Sequence, residues 1–317
     1  MIQNFHRALR VWFRKHGRDL PWRGAHDPYA VLVSEFMLQQ TTVAAVIPYF
    51  ERWMKTFPDV PALARADEQD VLSLWQGLGY YSRGRNLLRA AREIQERFDG
   101  EIPRDVSELR KLPGIGPYTA AAVASFAFDE CVAVLDANII RVVTRLANFK
   151  KPVSTAQGKF FLEKIARGLL PESGGRIHTS ALMDLGAMVC KARIPDCPDC
   201  PVRGFCKASA PEKIPVKPPR ASVIRERDVR GFATKGKAVY LALSPGPRWR
   251  GLWLLPPAKP GGKALIKISF SVTRHRVQME VARARPAKGN IPFPIDCLPP
   301  MPTPHRRALE KLLNRAL

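Results

Sequence analysis

The chain has 317 residues, of which 46% are hydrophobic, and this is enough apolar material for the cores of one large or two modest domains. No apolar run approaches the length of a membrane span, and the N-terminal segment lacks the features of a secretory signal. These properties argue against a membrane protein and favour a soluble, cytoplasmic one. The net charge of +23 indicates a polyanionic partner.

Both portions of the chain are basic, but unequally. Residues 211–317 contain 22 lysines and arginines against 6 acidic residues, a net charge of +16, which leaves +7 for residues 1–210. A ribosome-associated protein or a merely cationic surface would also fit this charge. The partner therefore has to be inferred from motifs.

Residues 1 to about 190 consist of segments with helical periodicity separated by short turn signals such as FPDVP and LPGIGP. The predicted helices beyond the N-terminal one are 28–38, 42–57, 68–78, 81–98, 106–112, 118–128 and 137–149. Because no alternating strand pattern interrupts them, the sequence predicts a compact all-α domain.

Glu35 lies in the apolar stretch VSEFMLQQT, where its helical neighbours are Val31, Leu32, Leu38 and Gln39. Desolvation disfavours the charged form of a carboxyl group, so the pKa of Glu35 should be raised. The residue would then be a proton donor near neutral pH. A glutamate rotated towards solvent or paired with an arginine is the alternative.

The segment LPGIGPYTA (112–120) predicts a turn between two helices. Gly114 and Gly116 permit a tight turn with exposed backbone N–H groups, and Pro117 suits the first turn of the following helix. Such a hairpin binds phosphate without reading sequence, although a generic helix–helix turn has the same pattern. About twenty residues later, Asp136 is predicted to cap another helix, which does not exclude a chemical role.

Four cysteines form the pattern C-x6-C-x2-C-x5-C within seventeen residues: Cys190, Cys197, Cys200 and Cys206. In a reducing cytosol such a cluster indicates thiolate ligands of a metal rather than disulfides. One tight, asymmetric loop suits an iron-sulfur cubane better than the paired knuckles of a zinc ribbon. Cys131 and Cys297 are predicted to be ordinary thiols.

After Cys206 the composition changes. A proline-rich and basic linker is predicted at 208–230, followed by short strand-like runs such as AVYLALS and ALIKISFSV. The predicted domains are a helical domain at 1–207 and a small α+β or mostly β domain at 231–317.

Taken together, SEFMLQQT, GLGYYSRGRNL, LPGIGPYTA, VLDANIIRV, MDLGAMVC and the cysteine loop resemble the MutY family of adenine DNA glycosylases in the helix-hairpin-helix glycosylase superfamily. The resemblance covers residues 5–206 closely and the remainder more loosely. It implies an all-α helix-hairpin-helix domain with a [4Fe-4S] cluster on the four cysteines, followed by a Nudix-like domain.

By this resemblance, Glu35 is the general acid and Asp136 the second carboxylate, while Tyr118 and Asn138 support the reaction centre. Protonation of the leaving adenine and stabilisation of an oxocarbenium-like sugar explain why two carboxyl groups are needed. The adenine must first leave the duplex. The resemblance implies further DNA contacts: Leu20, Trp22 and Arg23 in the pocket wall, Asp184 at the base edge, Gln40 and Tyr80 as wedges in the base stack, and Gly114 and Gly116 at phosphates.

Tyr118 stands where lyase members of the superfamily, such as endonuclease III, carry a Schiff-base lysine. A phenol cannot form an imine, so the resemblance implies a monofunctional glycosylase. Some family members have a lysine at the position of Ile140. The difference concerns only a minor contact or side activity.

The C-terminal region resembles the family's Nudix-like domain, which recognises 8-oxoguanine opposite the adenine. Thr273 and Arg274 fall where the family commonly has Ser and His, and Val272 where it has Phe. No acidic cluster resembles a Nudix box, which argues against pyrophosphate hydrolysis.

The sequence thus predicts a monomeric base-excision repair enzyme that removes adenine opposite 8-oxoguanine or guanine in double-stranded DNA, in the cytoplasm and at the nucleoid if bacterial. Two alternatives are an endonuclease III-like lyase, disfavoured by Tyr118 and the second domain, and a non-catalytic DNA-binding or redox-sensing iron-sulfur protein, disfavoured by the Glu35 and Asp136 pair.

Overall fold

A computed structural model describes residues 2–24, 27–216, 222–246, 248–259, 261 and 263–314. The chain divides into two compact units. The first is formed by Met1–Arg65 and Asn86–Pro219, and the second by Ala66–Arg85 and Arg220–Leu317. In the described part of the chain, no helix is long and apolar enough to cross a membrane.

The N-terminal two thirds of the chain are helical. The helices are α1 (Ile2–His16), α2 (Pro28–Leu38), α3 (Val43–Thr56), α4 (Val60–Ala64), α5 (Glu68–Trp75), α6 (Ser82–Phe98), α7 (Val106–Leu109), α8 (Pro117–Phe128), α9 (Ala137–Leu146), α10 (Ala156–Gly168) and α11 (Gly175–Asp184), and a π-helical turn, Leu185–Val189, continues α11. Helix α5 belongs to the second unit, and α6 begins there and continues into the first.

Helices α2 and α8 pack against each other at the centre of the first unit. Most residues of both helices are buried, which explains why neither has a polar face. Helix α8 also contacts α11, which in turn packs against α1. The two central helices carry Glu35 and Tyr118, so the packing of the core itself brings these side chains together.

The predicted hairpin forms between α7 and α8. Gly114 has a φ of 78°, which favours glycine, and a Cβ there would lie 2.6 Å from Cβ of Asn86. Gly116 is the N-cap of α8 and Pro117 its first residue. Both glycines are exposed at the surface of this turn.

The second unit contains two small sheets and a helix. Its strands are β1 (Ile224–Phe232), β2 (Thr234–Lys235), β3 (Ala238–Leu243), β4 (Trp253–Leu254), β5 (Ala264–Val272), β6 (His275–Arg283) and β7 (Ile291–Pro294), and its last helix is α12 (Thr303–Leu313). One sheet has the order β1-β6-β5, with β1 parallel and β5 antiparallel to β6. Strand β3 pairs with β2, β4 and β7 in the other. Helix α12 packs against β5, and the apolar core lies between them.

Two predicted boundaries need correction. Residues 224–230, assigned to the linker, form most of β1. The segment IRERDVR resembles a linker because five of its seven residues are charged and they occupy both faces of the strand, so it lacks the apolar alternation of a half-buried strand. Of the rest of the predicted linker, 217–221 lie outside the described residues.

The predicted domains were also continuous in sequence, whereas residues 66–85 group with the C-terminal part of the chain. The hydroxyl of Tyr81 donates to the carbonyl oxygen of Met301 at 3.0 Å, and the backbone N–H of Met301 donates to the Gln76 side chain at 3.3 Å. These contacts explain the grouping.

Candidate active site

A cavity of about 720 Å³ opens within the helical unit. Eight of the predicted site residues line it: Leu20, Trp22, Arg23, Glu35, Gln40, Tyr118, Asp136 and Asn138. Its volume is in the range of small-molecule binding sites, and its wall is mostly apolar with a few converging polar groups. Gly114, Gly116 and Asp184 are not in its wall, and Tyr80, Thr273 and Arg274 belong to the second unit.

Glu35 is buried in the cavity wall with 4% of its surface exposed. Burial raises its pKa to about 7, the negative charge of Asp136 acts in the same direction, and a hydrogen bond with Tyr118 acts against them. Its Oε2 atom is buried and has no hydrogen-bond partner among the described residues. The side chain is thus a carboxyl group that carries a proton near neutral pH and has an unused oxygen.

Tyr118, the second residue of α8, makes a hydrogen bond with Glu35. Burial raises the pKa of its phenol well above the ordinary value, and the nearby charges of Glu35 and Asp136 raise it further. The phenol therefore stays protonated and serves as a hydrogen-bond donor rather than a base.

Asp136 is the N-cap of α9, and its Oδ1 accepts the backbone N–H of Ile139 at 2.6 Å. Its Oδ2 accepts the amide of Asn138 at 2.8 Å. The other end of that amide, Oδ1, accepts from Nη2 of Arg141 at 2.8 Å, and Nε of the same arginine donates to the carbonyl oxygen of Cys190 at 2.7 Å. Asp136 thus has both the capping role and a place in the cavity, with its neighbours fixed by hydrogen bonds.

Asp184 does not reach the cavity. It is fully buried, and its two oxygens accept from the side chains of Arg18 and Arg23 at 2.6–3.0 Å and from the backbone N–H of Arg18 at 2.9 Å. These bonds hold its pKa below the usual range in spite of burial. A base contact would require this network to open. In the structure, Asp184 instead positions the two arginines, both of which line the cavity.

Sequence reasoning missed several residues in the wall, including Phe13, Arg18, Ser34, Arg176, Ser180 and Met183. Arg18 lies two residues before Leu20, which was predicted to be in the wall, so its position in the sequence could have indicated that it also lines the cavity. The spacing of Arg176, Ser180 and Met183 matches one face of a helix, but only the packing of α11 against α8 shows that this face is turned towards the cavity.

Gln40 and Tyr80 both have left-handed backbones, with φ values of 59° and 45°. Such conformations are uncommon for residues other than glycine and are concentrated at functional sites. Both side chains are exposed. Thr273 has the same property, with φ 52°, in the exposed turn between β5 and β6, and its hydroxyl donates to the carbonyl oxygen of Val272 at 2.7 Å.

The four loop cysteines interact electrostatically. Burial raises the pKa of Cys200 to about 11, and the thiols of Cys190, Cys206 and Cys197 raise it further. Arg145 donates to the sulfur of Cys190 at 3.2 Å. Within the described ranges no group of three or more possible ligands is close enough to hold a single metal ion. A cubane cluster is larger than a single ion, so it can be held by sulfurs that are further apart. The four neighbouring cysteines fit such a cluster, because their thiolates would need positive charge to compensate them.

Residues 33–167 match the HhH-GPD superfamily of base excision DNA repair proteins. Among curated proteins, an adenine DNA glycosylase of Rattus norvegicus is 42% identical over 216 residues, which cover 65% of this chain and 42% of that protein. The Homo sapiens adenine DNA glycosylase is 38% identical over 257 residues, covering 78% and 47% of the two chains. That of Mycolicibacterium smegmatis is 43% identical over 197 residues, covering 61% and 66%.

Among solved structures, a thermostable thymine-DNA glycosylase is similar to this chain with a TM-score of 0.60 and 27% identity, over 65% of this chain and 95% of that one. A non-covalent complex of endonuclease III with DNA gives a TM-score of 0.55 at 24% identity, which supports the fold alone. The aligned region spans less than half the length of the rat and human relatives.

Proposed function

Because residues 33–167 match the HhH-GPD superfamily of base excision DNA repair proteins, and the chain is similar to the adenine DNA glycosylases, we propose that it hydrolyses the N-glycosidic bond of adenine in DNA. One observation carries the proposal: a buried carboxyl group, Glu35, with a pKa of about 7 lies in a cavity that also contains the carboxylate of Asp136.

The two carboxyl groups would divide the chemistry. Protonated Glu35 donates its proton to N7 of adenine, so that the base departs as a neutral molecule while the bond from C1′ to the base nitrogen breaks. The electron-deficient sugar that results is stabilised by the negative charge of Asp136. A water molecule then adds to C1′ and gives a proton to the Glu35 carboxylate, which leaves an abasic site and free adenine and restores the protonated acid. Tyr118 orients the Glu35 carboxyl group through their hydrogen bond.

Adenine in a duplex cannot reach Glu35 unless it is flipped out of the stack. We expect Gln40 and Tyr80 to fill the space that the base leaves, since both are exposed and have strained backbones. The flipped base would be enclosed by Leu20, Trp22 and Arg23. Gly114 and Gly116 would hold the DNA backbone at the exposed hairpin turn.

We further propose that the enzyme is monofunctional. A lyase reaction of the endonuclease III type needs an amine that forms an imine with the sugar. The described residues that line the cavity include no lysine, and Tyr118 occupies the position of the lyase amine in the resemblance. Water is then the nucleophile, and the DNA strand stays intact.

The proposed substrate is adenine opposite 8-oxoguanine or guanine. The C-terminal unit, with the exposed turn that contains Thr273 and Arg274, would read the opposite base as a Nudix-like domain. Cys190, Cys197, Cys200 and Cys206 would hold a [4Fe-4S] cluster. When bound, that cluster would fix the loop that accepts hydrogen bonds from Arg141 and Arg145. We expect the protein to act on double-stranded DNA as a monomer.

The proposal is tested with duplexes that carry adenine opposite 8-oxoguanine, guanine or thymine. After incubation with the protein, alkali cleaves any abasic site and reveals excision. We expect cleavage with the first two duplexes, only after alkali, and little with the third. Strand breaks without alkali would favour the lyase alternative, and binding without any excision would favour a non-catalytic DNA-binding protein.

A further inference from the structure

The loop between α5 and α6 has an unusual backbone. Gly77, Gly79 and Tyr80 all have positive φ values, of 108°, 71° and 45°. The left-handed region is unfavourable for a residue such as tyrosine, so other contacts must hold Tyr80 in this conformation. Tyr80 is nevertheless 43% exposed. The loop therefore presents a large aromatic side chain to solvent on a strained backbone.

Arg83 lies beneath this loop. It follows in the first turn of α6, and only 6% of its surface is exposed although it carries a charge. Its Nη2 atom donates to the carbonyl oxygens of Leu78 and Gly79, at 3.0 and 3.1 Å. The side chain thus turns back from the helix and bonds to the two residues that precede Tyr80.

The same guanidinium group lies within cation–π distance of two aromatic rings. Its central carbon is 5.6 Å from the ring centre of Tyr80 and 5.4 Å from that of Trp75. Trp75 is fully buried, and its indole N–H also donates to the carbonyl oxygen of Gly79 at 3.1 Å. A lysine would keep the charge of Arg83 but could not combine planar stacking with two directed hydrogen bonds.

We propose that Arg83 is a positioning residue for Tyr80, which holds the tyrosine ring ready to enter the base stack. This inference rests on the proposed function, in which Tyr80 fills the space of a flipped base. Burial lowers the pKa of Arg83 to about 10, so the guanidinium remains charged at neutral pH. Its positive charge next to the ring also suits a side chain that must approach DNA phosphates.

A double-mutant cycle with Arg83→Lys and Tyr80→Ala tests the proposal. Two readouts are measured at matched salt: the single-turnover rate of adenine excision opposite 8-oxoguanine, and the fluorescence of a 2-aminopurine placed beside the mispair, which rises when binding unstacks the bases. We expect Arg83→Lys to lower the rate about tenfold and to reduce the fluorescence change. In the Tyr80→Ala background, Arg83→Lys should have little further effect.

Arg89→Lys is the matched control, because Arg89 is an exposed arginine of the same helix. Gly79→Ala is a second test that leaves the buried cation in place. A Cβ at Gly79 would meet nothing within 4 Å but would disfavour the φ of 71°, so this variant should reproduce the loss and should also depend on Tyr80. It keeps the proposal testable if Arg83→Lys unfolds.

Additive effects of Arg83→Lys and Tyr80→Ala would overturn the proposal, because a merely structural arginine acts independently of the tyrosine ring. Wild-type levels of both readouts in the Arg83→Lys and Gly79→Ala variants would overturn it as well. If the wild-type chain excised no adenine from any duplex, the proposed function would fail instead. The fluorescence cycle, which measures binding alone, would still decide the role of Arg83.

Discussion

Glu35 owes its chemical character to burial, and burial makes two different quantities depend on pH. The acid must be protonated to act, so excision should be fastest below about pH 7 and should fall tenfold per unit at higher pH. The raised pKa also affects folding. The folded chain binds a proton more tightly than the unfolded chain, so the stability contribution of this proton is lost as the pH rises from about 4.5 to about 7.

Glu35→Gln separates these effects. The amide keeps the volume of the side chain but cannot donate the proton, so excision should fall by at least roughly a hundredfold while duplex binding is retained. Above pH 7 the variant should be more stable than the wild type, by on the order of 3 kcal/mol, because it no longer buries a carboxylate. Chemical denaturation at pH 4.5 and pH 8 measures this difference.

Glu51→Gln serves as the control for Glu35→Gln, since Glu51 is an exposed glutamate of α3 outside the cavity wall. It should leave both excision and the pH dependence of stability unchanged. Excision by the Glu35→Gln variant at a rate close to that of the wild type would remove Glu35 from the reaction.

At the scale of one helix, Asp136 has two roles: it caps the N-terminus of α9, and its charge is proposed to stabilise the sugar during the reaction. Asparagine caps helices about as well as aspartate but carries no charge. Asp136→Asn should therefore keep the cap to Ile139 but lose the hydrogen bond from the Asn138 amide, at a cost of about 1 kcal/mol, while excision falls because the developing positive charge on the sugar loses its partner. Asp136→Ala should lose excision and, because the cap is lost as well, about 2 kcal/mol of stability.

Denaturant unfolding of the wild type and of the two Asp136 variants, with excision rates measured in parallel, distinguishes the roles of this residue. Equal excision by the wild type and Asp136→Asn would reduce Asp136 to a cap. A large loss of stability in Asp136→Asn would mean that the charge, and not the cap, stabilises α9.

The cysteine loop gives a prediction about composition. Protein purified without exposure to air should be brown and contain about four irons per chain, because one tight loop with four interacting thiols suits a cubane cluster. Elemental analysis and the visible absorption spectrum measure this directly. Cys297→Ser should not change the iron content, since Cys297 is exposed and outside the loop. Zinc as the only metal would indicate a ribbon instead.

Several elements could be predicted from the sequence because a local signal determines them. The helix at 28–38 was predicted with its observed bounds from the helical periodicity of its apolar residues, and the structure adds Asp27 as its N-cap. The strand at 264–272 was also predicted with its observed bounds, from its period of two. The environment of Asp184 could not be predicted from such local signals. Its sequence neighbours did not reveal that Arg18, which is 166 positions away, occupies its oxygens.

At the scale of the whole molecule, the main correction concerns residues 66–85. Their pattern predicts helices correctly but does not show which unit they join, because that depends on contacts across more than two hundred positions, such as the one between Tyr81 and Met301. Amide hydrogen exchange should therefore report 66–85 and the C-terminal sheets as one cooperative unit.

Tyr81→Phe tests that grouping. It removes the donor to the buried carbonyl oxygen of Met301, which should cost about 1 kcal/mol and speed exchange in 66–85 and in the strands of the second unit. Exchange in α2 and α8 should not change. Tyr49→Phe, on a helix of the first unit, is the control. Faster exchange in α2 and α8 alone would contradict the grouping.

The split composition of the second unit also matters during synthesis on the ribosome. Residues 66–85 emerge early, but roughly 130 residues must follow before Arg220 begins the rest of their unit. At about 5–20 residues per second, this interval lasts roughly 7–27 s. For that time the apolar side chains of Val71, Leu72 and Trp75, all buried in the finished protein, lack the C-terminal part of their unit. Nascent chains that wait in this way for the rest of a folding unit are prone to aggregation, which is the hazard that chaperones counteract.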